Sequence, residues 1–115
     1  MNKLFVIALL FVVAACSTTK STKSTSSASD DVARGAAKFP GYNQEEFNKG
    51  NALYSKYCAS CHGLKDPKAY NEESLRSIVP NMVVKANKKL GMVIDDKDEE
   101  AILKYLITMS TAGKK

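Results

Sequence analysis

The sequence predicts a small helical domain, on three observations. Asn43-x-x-Glu46 and Asp96-x-x-Glu99 each read as a capping box that opens a helix. Behind both boxes, apolar residues recur at spacings of three and four, the period of one helix face. A C-x-x-C-H pattern, Cys58 to His62, follows the first of these helices directly.

Not all of the 115 residues belong to that domain. Residues 1–15 carry Lys3 and then an unbroken apolar run over 4–15. The run is shorter than the ~20 residues a bilayer-spanning helix needs and has the form of a secretory signal. Val13-Ala14-Ala15-Cys16 resembles the bacterial lipobox. The resemblance implies a diacylglycerol thioether on Cys16, cleavage before it, and acylation of the new amine. Two or three acyl chains anchor firmly where one holds only marginally. Under the same resemblance, Ser17 in place of Asp implies the outer rather than the inner membrane, as is the association in some bacteria.

Residues 16–40 are expected to be a flexible tether. The stretch 17–29 is almost wholly Ser, Thr, Lys and Ala, and has no large apolar side chain to offset the entropy of ordering. As a coil, the tether would reach roughly 27 Å. The domain is then residues 41–110, followed by a basic tail at 111–115. Its size is close to the ~70–80 residues below which a core alone gives little stability, so a staple is expected.

The first helix of the domain places Phe47, Gly50, Tyr54 and Tyr57 on one face. Asn71 caps a short helix over 72–79, whose Leu75, Ile78 and Val79 would line a pocket. Pro80-Asn81 is a breaker pair, after which 83–90 reads as helical and ends at Gly91. The last helix carries Ala101, Ile102, Tyr105, Leu106 and Met109 as a continuous apolar stripe. Acidic residues in its first turn suit the helix dipole. Gly50 offers that stripe a place of close approach, and Tyr54 and Tyr105 read as packing residues rather than electron relays.

The cysteines identify the staple. There are three, at positions 16, 58 and 61, not the even, spaced set of a disulfide framework. C-x-x-C-H is the attachment pattern of haem c. Two thiols one turn apart can add to the two vinyl groups of one haem, and the adjacent His62 then projects over the iron. A structural zinc site would want four N/S ligands, but His62 is the only histidine and Cys16 is taken by lipid. A thioredoxin-like pair would need a βαβ context that this chain does not offer.

The segment Gly50-Asn51-Ala52-Leu53-Tyr54-Ser55-Lys56-Tyr57-Cys58-Ala59-Ser60-Cys61-His62-Gly63 resembles the opening of small class I c-type cytochromes. Those proteins have a glycine eight residues before the first haem cysteine, an aromatic four before it, and often a glycine after the histidine. The acidic start and Tyr105-Leu106 of the last helix are similar to the end of the same family. The resemblance implies an all-α, cytochrome c-like fold of three to four short helices around one covalently attached haem. The first and last helices would cross, with the haem in the pocket between them and the loops.

An iron bound by His62 needs a sixth group to carry electrons with little rearrangement. A Met/His pair is the ligation of cytochromes c and raises the potential. Met82, after the breaker pair, is the favoured candidate; Met92, after Gly91, is the alternative; Met109 belongs to the core stripe. Neither Met82 nor Met92 is followed by the proline common in the family, which leaves room for a displaceable ligand. The other His62 nitrogen is expected to donate to a backbone carbonyl, most naturally within 64–67.

Formal charge is +5 for the chain, one less once Lys3 leaves with the signal. Lys65, Lys68, Lys85, Lys88 and Lys89 fall in segments near the expected haem rim. There they would steer an acidic redox partner, unless they are simply a soluble surface. Nucleic acid is not an expected partner of an exported, lipid-anchored chain. No second histidine, catalytic Cys-His dyad or paired carboxylates point to an enzyme. The function expected is a membrane-tethered periplasmic one-electron carrier. The alternatives are a haem-based gas or redox sensor with a labile sixth ligand, and a cytochrome subunit of a larger membrane redox enzyme.

Overall fold

The computed structural model describes residues 28–114. The signal segment, Cys16 and its lipid, the first part of the tether and the last residue of the tail lie outside the described residues. Among the described residues, four α-helices follow one another and no strand occurs: α1 Ala28–Lys38, α2 Gln44–Leu53, α3 Glu72–Leu90 and α4 Asp96–Ser110. A π turn, Tyr54–Cys58, prolongs α2, and a 3-10 turn, Pro67–Ala69, lies between it and α3. The architecture is all-α, as expected.

Each helix after α1 starts on a side-chain cap, which satisfies amide groups that have no partner within the helix. The Asn43 side chain accepts from the N–H groups of Glu45 and Glu46 at 2.9 and 3.0 Å. Asn71 accepts from Ser74 N–H at 2.8 Å. The cap of α4 is Asp95, which accepts from Asp98 N–H at 2.8 Å, one residue earlier than the expected Asp96. Ile94 is buried just before it, so the chain turns at the first polar residue that follows.

α2 and α4 cross at Gly50, as the sequence suggests. A Cβ on Gly50 would lie 2.5 Å from both the Ala101 carbonyl oxygen and the Tyr105 Cβ. Around this contact the Phe47 and Tyr105 rings meet edge to face at 5.2 Å. Ile102, Leu106 and Ile107 of α4 complete the buried cluster.

Two expectations require correction. The first is the break at Pro80-Asn81: α3 runs unbroken from Glu72 to Leu90 with Pro80 inside it. Pro80 has no N–H to offer the carbonyl one turn earlier, which costs about 3 kcal/mol. Leu75, Val79, Val83 and Ala86 nevertheless form one buried face on both sides of the proline. Burial of a valine side chain such as Val83 is worth about 1.5–3 kcal/mol, so packing beyond the proline offsets most of its cost. Asn81 also donates its side-chain amide to the Ser77 carbonyl at 2.8 Å, which satisfies an acceptor in the disturbed turn.

The second is the tether, expected to extend to residue 40. Residues 28–38 are the helix α1, and it packs on α4. A Cβ on Gly35 would fall 2.3 Å from the Tyr42 ring and 2.9 Å from Thr108 Oγ1. Val32 and Phe39 pack against the core on either side of it. Arg34 pairs with Asp31 and also donates to the Thr108 carbonyl at 3.4 Å. Lys38 pairs with Glu72 and ties the end of α1 to the start of α3. No helix among the described residues is long and apolar enough to cross a membrane.

Candidate functional site

The end of α2, the loop that follows it, α3 and α4 enclose a cavity of about 440 Å³. Its size is that of a site for a small molecule or cofactor. Leu75, Ile78, Val79 and Val83 of α3 form one wall, and Ile102 and Leu106 of α4 form the floor. Tyr54, Tyr57, Cys58, Cys61 and His62 close the opposite side. The widened turn at Tyr54–Cys58 delivers this group. Single π turns inside α-helices are frequent at functional sites, and this one leads into both thiols and the imidazole.

The loop after the motif is held down by Tyr54, whose phenol donates to the Lys65 carbonyl oxygen. Burial pushes the Tyr54 hydroxyl above its ordinary value, so it stays a donor at neutral pH. Burial likewise pushes the half-buried Cys58 thiol up, with the charge of Cys61 a smaller contribution in the same direction. Cys61 and His62 are exposed at the mouth of the cavity.

His62 Nδ1 lies 2.8 Å from the carbonyl oxygen of Gly63. A carbonyl can only accept, so the proton sits on Nδ1 and Nε2 keeps its lone pair for a metal. The partner is thus one residue outside the expected 64–67 segment. Gly63 brings its own carbonyl back to the ring, a contact that residue spacing does not reveal.

Of the three candidate methionines, Met82 lines the cavity; Met92 and Met109 do not, and instead pack partly buried against the core. Met82 is 45% exposed, and lies on α3 rather than in the loop that a helix break would have made. Met92 is kept away by a contact the sequence does not announce. Asn87 donates to the Ile94 carbonyl and accepts from the Ile94 N–H, both at 3.0 Å. That pair folds the loop after Gly91, itself in the left-handed conformation at φ 62°, so that Ile94 lines the cavity.

Lys65, Lys85 and Lys89 also line the cavity, and among the described residues no Asp or Glu does. Lys68 and Lys88, expected at the same rim, are exposed outside its wall. Among the described residues no group of three His, Cys, Asp or Glu could hold a bare metal ion.

A family model described as cytochrome c oxidase, cbb3-type, subunit III, matches residues 45–106. The chain belongs to this family. The matched span of this c-type cytochrome runs from the first turn of α2 into α4 and takes in every element that builds the cavity; α1 lies outside it. No curated protein and no solved structure matches the chain. The cytochrome domain binds haem c covalently and serves electron transfer with redox partners; such domains are usually exported. The residues present fit the group: an apolar cavity, two thiols on one turn, and an imidazole with a free Nε2, all on one site.

Proposed function

We propose that this cytochrome domain is a membrane-tethered periplasmic one-electron carrier. In this reading its single haem is attached through Cys58 and Cys61 and ligated by His62 and Met82, and Cys16 carries the lipid. The observation that carries the reading is the convergence of those four domain side chains on one apolar cavity.

The haem supplies a reversible one-electron change at its iron. His62 contributes a basic Nε2 because its Nδ1 proton is engaged by Gly63. Met82 contributes a soft thioether, which favours the ferrous state and raises the potential. The aliphatic side chains of α3 and α4 exclude water, and Tyr54 keeps the loop beside His62 in place. Lys65, Lys68 and Lys88, all exposed, attract an acidic partner surface, so association slows as salt rises.

Carbon monoxide tests the closed site. The reduced holo protein at neutral pH resists it if Met82 holds the sixth position. Rapid, stoichiometric binding overturns the carrier reading in favour of a haem-based sensor.

The family description favours a second reading, a fixed cytochrome subunit of a membrane oxidase. Size analysis of the detergent-extracted native protein separates the two. A free carrier migrates alone, and a subunit migrates with its complex.

A further inference from the structure

The cations of the cavity wall have a chemistry that the iron ligands do not use. Lys85 and Lys89 stand one turn apart on α3, on the face that also carries Met82 and Ala86 into the cavity. Lys65 reaches the same cavity from the loop that Tyr54 holds. Among the described residues, the other titratable groups of the wall are Tyr54, Tyr57, Tyr70, Cys58, Cys61 and His62, and none is a carboxylate. Among the described residues, Lys65, Lys85 and Lys89 have no ion-pair partner, whereas Lys38, Lys49 and Lys104 each have one. A haem carries two propionate carboxylates. Bringing carboxylates against an apolar wall is costly unless each is paired. Lysine stems lie along apolar surface while their heads stay at its rim.

We propose that Lys85 and Lys89 receive the two carboxylates of the haem, and that this pairing raises its reduction potential; the inference rests on the haem-attachment reading above. Unpaired carboxylates near the iron favour the ferric state, which carries one more positive charge. Neutralising them restores the balance toward the ferrous state. Lys88 is adjacent in sequence and equally charged but lies outside the cavity wall, so it supplies the control.

The test is a redox titration of the full-length holo protein and its variants. Lys85→Gln and Lys89→Gln each shift the equilibrium toward ferric by up to about tenfold, about 59 mV for one electron, and the double variant shifts it further. Lys85→Arg/Lys89→Arg keeps the wild-type potential, and so does Lys88→Gln. An unchanged potential in the double glutamine variant overturns the proposal. An equal shift in Lys88→Gln also overturns it, because the effect is then the general field of the surface. Mass analysis for covalent haem and the sulfur-to-iron charge-transfer band are read on every sample. If both are absent in the wild type, the attachment and ligation reading has failed instead. If the band is lost only in the glutamine variants, the lysines act through Met82 and the carboxylate pairing is overturned.

Discussion

Asn87 and Ile94 exchange two hydrogen bonds of 3.0 Å across the turn between α3 and α4. One side-chain amide thereby satisfies both the N–H and the C=O of a buried residue, and it decides which side chain of that loop faces the cavity. Asn87→Ala leaves both Ile94 groups without these partners, at about 1–3 kcal/mol. Denaturant unfolding of the holo protein measures the loss. A stability within a few tenths of a kcal/mol of wild type would mean that the turn is held by something else.

Tyr54→Phe removes the hydrogen bond that ties the Lys65 carbonyl to the helix bearing the haem motif. The ring keeps its packing beside Tyr105, so the expected loss is about 1 kcal/mol. Hydrogen exchange followed by mass spectrometry should rise in residues 59–66 and stay unchanged in α4. Unchanged exchange in 59–66 would show that the loop does not depend on this phenol.

Gly50→Ala sets helix propensity against packing. Alanine gains up to about 1 kcal/mol in a helix interior. Its Cβ, however, would press on the Ala101 carbonyl at 2.5 Å, and backbone cannot rotate away. Overpacking of this kind costs about 1–3 kcal/mol, so the net effect is destabilising. A melting temperature equal to or above that of wild type would place the α2–α4 crossing elsewhere.

The Lys38–Glu72 pair joins α1 to the cytochrome domain. Lys38 first, and Arg76 second, hold the Glu72 carboxyl below its ordinary value of 4.5. The folded-state value is depressed, so the contribution is complete above that ordinary value and disappears as pH falls through the folded value. The side chain is 32% exposed, and solvent screening keeps the contribution below about 1 kcal/mol. Glu72→Gln should therefore speed amide exchange across residues 28–38 at pH 7, and the difference from wild type should vanish in acid. Equal exchange at both pH values would contradict a role for this pair in docking α1.

The legible and hidden parts of this chain differ in physical kind. Cys58, Cys61 and His62 are readable as a group because the haem-attachment pattern asks for two cysteines and a histidine at one spacing, and all three line the cavity. The crossing of α2 and α4 is readable because Gly50 is the one place where a backbone could approach the apolar stripe of α4. α1 is hidden because its preceding Ser/Thr tract dominates the composition. The signal was present in Val32, Gly35 and Phe39, spaced by three and four, and in the acidic-to-basic order from Asp30 to Lys38. The continuity of α3 is hidden for another reason. A proline is a strong local signal, and the burial of Val83 and Ala86 that outweighs it is tertiary. The Asn87–Ile94 and His62–Gly63 contacts depend on loop geometry, which no periodicity encodes.

The proposed ligation by Met82 is the centre of the account, and the absorption spectrum of the oxidised holo protein tests it most directly. The weak sulfur-to-iron charge-transfer band should be present in the wild type, unchanged in Met92→Ala, and absent in Met82→Ala, which keeps its covalent haem. An undiminished band in Met82→Ala, or its loss in Met92→Ala, would contradict ligation by the methionine that lines the cavity.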